Sequence, residues 1–70
     1  MHRFFADESG IQNGTARLNA EDSAHALRVL RLAEGEEIEL VCAPNRYLAV
    51  IEAAQPDGVV VRVTGELRAA

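Results

Sequence analysis

The sequence predicts a small, mainly β domain: a barrel of about five short strands with one short helix at about residues 20–30. Three observations lead to this prediction. Segments with apolar residues at alternate positions recur along the chain, and residues that favour turns separate them. A single stretch carries its apolar residues at helical spacing. A chain of 70 residues accommodates one domain. Five short strands can protect their edges from solvent if the sheet closes into a barrel.

The strands are predicted from the alternation of apolar and polar residues. In the first strand, Phe4 and Phe5 point to opposite faces, so that one enters the core while the other covers an edge or meets a partner. The pair Asn13-Gly14 is typical of a turn, and residues 65–70 are interpreted as an ending or a linker. The predicted strands are residues 3–6, 15–19, 37–42, 47–53 and 59–64. The predicted core consists of Phe5, Leu18, Leu27, Leu30, Ile38, Leu40, Ile51, Val61 and Val63.

The helix at about residues 20–30 follows the second strand. Asn19 is a suitable N-cap, and the first turn is acidic, which the helix dipole favours. Its apolar residues form one stripe, and a second ridge of polar residues at i, i+3 spacing is expected to face solvent. The stripe consists of Ala20, Ala24, Leu27 and Leu30, and the second ridge of His25, Arg28 and Arg31.

An imidazole and two guanidinium groups on one face of a helix suit an anion. Phosphate is the natural candidate, because a guanidinium group presents paired donors in a fixed geometry. A plainer interpretation stays open at this point: Arg28 and Arg31 could be solvated surface residues, and His25 could be a half-buried packing residue.

Composition limits the functional classes. The formal net charge of −4 argues against a nonspecific nucleic-acid binder. All seven basic residues are arginines, and much of the acidic content falls in residues 34–39, so the charges are expected to be segregated. Cys42 is the single cysteine, which fits a reducing, cytoplasmic compartment. No apolar run approaches the roughly 20 residues that a membrane span needs, and we expect no signal peptide.

The sequence contains no recognisable catalytic or metal-binding motif. There is no glycine-rich dinucleotide or phosphate loop, and one cysteine with two histidines cannot complete a structural zinc site. Ser23 and His25 lie at i, i+2 on the helix and therefore do not face each other. We predict no catalytic residues, no metal site and no cofactor site in this chain.

Several short motifs carry a family resemblance by their order and spacing. They are the opening Arg3-Phe4-Phe5, the helix in which His25 precedes Val29-Leu30-Arg31, and the turn Gly35-Glu36 that leads into a strand. Together these motifs resemble the N-terminal domain of the ribosomal RNA small subunit methyltransferase E family. The similarity extends over residues 1–66, nearly the whole chain.

The resemblance implies a PUA-like β-barrel at residues 1–66 that binds ribosomal RNA of the small subunit. It implies that residues 67–70 begin a linker to an absent C-terminal domain, which binds S-adenosylmethionine, methylates N3 of a uridine in 16S rRNA and commonly forms homodimers. The fragment would then bind rRNA without chemistry of its own, within a parent transferase of ribosome biogenesis. By position, the RNA-binding residues would be Arg3, His25, Arg28, Arg31 and Arg46.

A second hypothesis belongs to a different class. The domain could be a protein-interaction or structural barrel whose helix packs against a partner domain, with no RNA contact. Its negative net charge would then be the relevant surface property.

Overall fold

One five-stranded sheet forms most of the domain. The computed structural model describes residues 2–55 and 58–67. The strands are β1 (Arg3–Phe5), β2 (Thr15–Arg17), β3 (Glu37–Cys42), β4 (Asn45–Gln55) and β5 (Gly58–Leu67), in the sheet order β1-β3-β4-β5-β2. β1 pairs with β3 in parallel, and the other pairings are antiparallel. The predicted fold class, mainly β with five strands and one short helix, is confirmed.

The two edge strands of the sheet face each other across a gap. A cleft lies between the end of β1 and the strand β2, with residues of both strands in its walls. Within residues 2–55 and 58–67 no backbone ladder joins β1 to β2. We call this gap the seam. The sequence predicts a barrel that closes its own edges, whereas here each edge strand is paired on one side only.

β5 is longer than the sequence predicts. Its ladder with β4 continues past Gly65, which pairs with Leu48, to Leu67, which pairs with Arg46. The interpretation of residues 65–67 as an ending or a linker is therefore wrong. A glycine interrupts the alternation at this point, but the long partner strand β4 still supplies a complete edge for pairing. Residues 68–70 lie outside the described residues, as does the Pro56-Asp57 part of the predicted turn before β5.

The turn before β2 has the backbone conformation that the sequence predicts. Asn13 and Gly14 have φ angles of 54° and 78°, which is the left-handed region that a two-residue turn of type I′ requires. Gln12 and Thr15 exchange backbone hydrogen bonds of 2.8 and 3.0 Å across this turn. Upstream, Glu8–Gly10 forms one turn of 3-10 helix.

The core lies between one face of the sheet and the helical segment. The prediction that Phe4 and Phe5 point to opposite faces is confirmed, but the assignment of Phe5 to the core is wrong: Phe4 is 3% exposed and Phe5 is 66% exposed. Alternation alone cannot decide which of two adjacent phenylalanines faces inward. Leu27, Leu30 and Val63 are only partly buried. The buried apolar residues are Phe4, Ala16, Leu18, Ala26, Leu32, Ile38, Leu40, Cys42, Ala49, Ile51, Val59 and Val61.

The helical segment has two parts. Helix α1 (Ala20–Ala24) is followed directly by a π-helical turn (His25–Val29). The cap is confirmed, since the Asn19 side chain accepts a 2.7 Å hydrogen bond from the Asp22 amide. The buried positions are Ser23 and Ala26, whereas Ala20 is exposed. The predicted stripe is therefore partly wrong. Within α1 the buried position is Ser23, whose hydroxyl has two partners in the core, and beyond Ala24 the π-helical turn departs from the 3.6 residues per turn on which the prediction rests.

Ser23 joins the helical segment to the sheet. Its side chain is fully buried, and its hydroxyl donates a 3.3 Å hydrogen bond to the carbonyl of Leu18. The same hydroxyl accepts a 3.0 Å hydrogen bond from the backbone N–H of Val59 in β5. Both groups lie in the core, where an unpaired polar group would be destabilising. One small polar side chain therefore fixes the helix against β5.

We expect Ser23→Ala to lower the free energy of unfolding by about 1–3 kcal/mol, because the buried N–H of Val59 loses its partner. Chemical denaturation followed by circular dichroism measures this loss. Ser9→Ala is the control, since Ser9 is exposed. Equal stability of the two variants would show that the hydroxyl does not hold the helix on the sheet.

Candidate nucleic-acid interface

The ridge predicted on the helix is exposed. His25, Arg28 and Arg31 are all solvent-exposed, so the prediction that this ridge faces outward is confirmed. Neither arginine forms an ion pair with any residue that the structure describes. Arg28 lies in the last turn of the helical segment, where the helix dipole favours a positive charge. Both guanidinium groups can therefore reach an external anion.

Arg31 has an unusual backbone conformation. It follows the π-helical turn with a φ angle of 53°, in the left-handed region. This conformation ends the helix, and the Leu32 amide then donates a 2.9 Å hydrogen bond to the carbonyl of Ala26. Glycine is the residue that usually occupies such a position. A side chain with a Cβ is strained there by an energy on the order of 1 kcal/mol.

Arg3 and Arg46 meet at one carboxylate. Oε2 of Glu39 lies 3.4 Å from Nε of Arg3 and 3.5 Å from an Nη atom of Arg46. The Glu39 side chain is 13% exposed, and its buried Oε2 accepts no hydrogen bond from the described residues. Two guanidinium groups therefore share one carboxylate, so the cluster has a positive charge left over. Sequence reasoning missed Glu39, although its position opposite Arg3 follows from the register.

The five candidate residues form two groups rather than one patch. His25, Arg28 and Arg31 belong to the helical segment, which packs on the core side of the sheet through Ala26. Arg3 neighbours the buried Phe4 in β1 and therefore projects from the opposite face. Arg46 lies near Arg3, at their shared Glu39. A ligand that touches all five residues must therefore extend around the domain.

The face of the sheet turned away from the core, which we call the outer face, is more basic than the chain as a whole. Strand register places four arginines and two glutamates on it, whereas the chain has a net charge of −4. The predicted segregation of charge stays a prediction, since Glu37 and Glu39 of the acidic stretch 34–39 lie on this same face. The six residues are Arg3, Arg17, Arg46, Arg62, Glu37 and Glu39.

The cleft in the seam has a volume of about 500 Å³. The exposed ring of Phe5 and the side chain of Arg17 contribute to its walls. Arg17 lies against Gly58: a Cβ on that glycine would be 3.4 Å from Cδ and Nε of Arg17. The predicted site omits Arg17, although its outward direction in β2 follows from the alternation of the strand.

A polar cluster joins the 3-10 turn to the β3–β4 hairpin. The hydroxyl of Tyr47 and Nδ2 of Asn45 both donate hydrogen bonds to the Glu8 carboxylate, the second at 3.2 Å. Both hydrogen bonds lower the pKa of Glu8, and the one from Tyr47 has the larger effect. The hydrogen bond to Glu8 is the main cause that raises the pKa of Tyr47 from 10.0 to about 12, and the loss of solvent around the hydroxyl is the second cause. The hydroxyl of Tyr47 is therefore engaged within the domain.

The described residues offer no catalytic arrangement. Among them, no group of three or more His, Cys, Asp or Glu side chains could hold a metal ion. Cys42 is buried, and burial is the first cause that raises the pKa of its thiol, so it is a packing residue and a poor nucleophile. No helix in the described part of the chain is both long and apolar enough to cross a membrane.

A family model for the RNA methyltransferase PUA domain matches residues 18–64, which is more than half of the chain. The chain belongs to this family. The predicted membership in an RNA methyltransferase family with a PUA-like domain is thereby confirmed. A search of curated proteins finds no match.

Solved structures agree with this assignment. Ribosomal RNA small subunit methyltransferase E from Neisseria gonorrhoeae, bound to S-adenosylmethionine, superposes on 96% of the chain at a TM-score of 0.78 and 26% identity. A protein from Porphyromonas gingivalis described as a probable rRNA-methyltransferase covers 100% of the chain at a TM-score of 0.81 and 28% identity. A Legionella pneumophila protein with bound SAM covers 93% at a TM-score of 0.80 and 26% identity. The chain spans 28%, 29% and 27% of these three proteins, respectively.

The single tyrosine gives a direct test of the polar cluster. We expect Tyr47 to ionise near pH 12, and Glu8→Gln to return its ionisation toward pH 10, because the carboxylate holds the phenolic proton. A raised folded-state pKa means that the contact stabilises the fold fully below about pH 10 and that this stabilisation is lost as the pH rises through about 12. Near-ultraviolet absorbance of tyrosinate measures the titration. Glu21→Gln is the control, and an unshifted titration in Glu8→Gln would contradict the assignment.

Proposed function

We propose that this chain is the RNA-binding domain of an S-adenosylmethionine-dependent methyltransferase that modifies N3 of a uridine in 16S rRNA. One observation carries the proposal: in a chain of net charge −4, the helical segment presents His25, Arg28 and Arg31 to solvent, with no ion pair to either arginine within the described residues. Membership in the RNA methyltransferase PUA family supports RNA as the anion.

The helical segment would contact the sugar-phosphate backbone. Each guanidinium group can donate two parallel hydrogen bonds to a phosphate, and His25 would orient the ridge or add a hydrogen bond. Phosphate contacts fix the position and orientation of a nucleic acid without reading its sequence. The domain would therefore position the rRNA for chemistry that takes place elsewhere in the protein.

The second group, Arg3 and Arg46, would contact RNA that continues around the sheet. Their cluster with Glu39 has more positive than negative charge, and the outer face adds Arg17 and Arg62. A single helical stem cannot easily reach both sides of the domain. We infer that the RNA bends around the domain or presents a single-stranded segment to the outer face.

The remainder of the methyltransferase would supply the chemistry. The structural neighbours are more than three times as long as this chain, and two of them contain bound S-adenosylmethionine. We propose that a C-terminal domain binds this cofactor and forms the homodimer, and that the parent enzyme acts in ribosome biogenesis in the cytoplasm. The chain described here would bind rRNA without turnover.

Removal of a phosphate contact should change the salt dependence of binding. We expect Arg28→Ala to weaken binding to a small-subunit rRNA fragment and to reduce the slope of log K against log salt by about 0.7–0.9, which corresponds to one contact. Fluorescence anisotropy at several salt concentrations measures the slope. Gln12→Ala is the control, because Gln12 is exposed, uncharged and outside both groups of basic residues, so that its removal takes away no phosphate contact. An unchanged slope in Arg28→Ala would exclude this residue from the interface.

The backbone of Arg31 allows stability and binding to be separated. Glycine adopts the left-handed conformation without strain, so we expect Arg31→Gly to keep the free energy of unfolding or raise it by up to about 1 kcal/mol. The same variant should bind rRNA more weakly, since it lacks the guanidinium group. Thermal melting and anisotropy measure the two effects. Unchanged affinity would mean that Arg31 serves only to end the helix.

Val29 gives the alternative function a specific basis. It is 66% exposed beside Arg28, and an exposed aliphatic side chain suits a protein partner better than phosphate. On this alternative the helical segment packs against another domain and RNA is not involved. Amide NMR signals of residues 20–31 discriminate the two: perturbation by rRNA supports the first proposal, and perturbation only by the separate catalytic domain supports the second.

A further inference from the structure

The seam between β1 and β2 has features that the phosphate contacts of the helix do not use. Its volume of about 500 Å³ falls within the usual range for small-ligand pockets. The second edge of each bordering strand has no ladder partner in the described sheet. Thr15 of β2 is already bonded to Gln12, so the backbone groups available to a ligand are those of β1 and of Arg17. The seam is therefore a concave site with hydrogen-bonding walls.

Phe5 gives the seam an aromatic surface. Its ring is 66% exposed although the adjacent Phe4 is buried. Phe5 and Val29 are the large apolar side chains that stand out as exposed in the described chain, and of these two Phe5 lines the cleft. A nucleic-acid base stacks on an exposed aromatic ring with a free energy of about 1–3 kcal/mol.

Arg17 supplies a positive charge on the opposite wall. Its side chain lies against Gly58, at a distance of 3.4 Å from the place that a Cβ on that glycine would occupy. This contact steadies the stem while the residue stays exposed. A guanidinium group held at the rim of a cleft suits a phosphate.

The cleft also contains hydrogen-bond acceptors. Asp7 precedes the 3-10 turn but makes no side-chain cap hydrogen bond, and it lines the cleft together with the exposed Ser9. A carboxylate accepts hydrogen bonds from the N–H groups on the edge of a base. An apolar protein segment in the seam would leave Asp7 and Arg17 without partners, so the polar walls favour a nucleotide.

We propose that the seam binds one unpaired RNA nucleotide, with its base stacked on Phe5 and its phosphate on Arg17. This proposal rests on the proposed function, because the nucleotide in the seam would belong to the same RNA that the domain is proposed to bind. It extends that function from contact with the RNA backbone by the helix to capture of a base by the barrel. The RNA must then contain at least one nucleotide that is not in a duplex.

The test is an NMR titration of the 70-residue chain with single-stranded pentauridylate. We expect the Phe5 ring protons to shift through ring-current effects and the Arg17 side-chain N–H to shift with them. Phe5→Leu keeps an apolar side chain but removes the aromatic face, so it should reduce the affinity about tenfold. Phe5→Tyr should stay within about twofold of the original chain.

The controls separate this proposal from the proposed function. Val29→Ala is the matched control, because Val29 is as exposed as Phe5 but lies outside the seam. A duplex RNA without unpaired nucleotides should leave the Phe5 signals unchanged while it shifts the helix signals. If Arg28→Ala weakens binding to rRNA but Phe5→Leu binds pentauridylate like the original chain, the seam proposal is wrong and the proposed function stands. If rRNA shifts neither set of signals, the proposed function fails, and the seam proposal fails with it.

Discussion

The hydroxyl of Ser23 is the contact on which the arrangement of this domain depends. It bridges the Leu18 carbonyl, just before the helix, and the Val59 amide at the beginning of β5. The bridge is fully buried, and it fixes both the position and the rotation of a helical segment only ten residues long. Isolated helices of this length are not stable in water. The direction in which Arg28 and Arg31 project is therefore set by the attachment of the helix to the sheet.

Local chemistry in the sequence was enough to predict much of the fold. Asn19 specifies where the helix begins, and Asn13-Gly14 specifies a turn that needs two left-handed residues. The alternation in β3 correctly predicts that Ile38 and Leu40 are buried, whereas Glu37 and Glu39 lie on the other face. In each case a short-range physical rule and the tertiary structure agree, and such agreement is typical of natural sequences.

Other features depend on contacts between distant residues and could not be predicted from local patterns. The choice between Phe4 and Phe5 follows from the parallel pairing of β1 with β3. The burial of Ser23 in α1 follows from the hydrogen bond of its hydroxyl to β5, and the burial of Ala26 follows from a π-helical turn that local spacing does not predict. The meeting of Arg3 and Arg46 at Glu39 likewise needs three strands in register. Alternation in β2 predicts that Arg17 points outward, but the cleft that it borders is formed by β1 and β2 together and is visible only in the structure.

The parallel pairing of β1 has a consequence for the order in which the chain folds. The β3–β4 and β4–β5 hairpins join neighbouring segments, whereas Arg3 pairs with Glu39, about half the chain away. Closing such a long loop costs conformational entropy, and this cost is offset only when β3 is already ordered by its pairing with β4. We therefore expect the meander of β3, β4 and β5 to form first and β1 to dock on it late. A nascent chain emerging from the ribosome therefore exposes Phe4, which the folded domain buries, until residues near 40 have been synthesised.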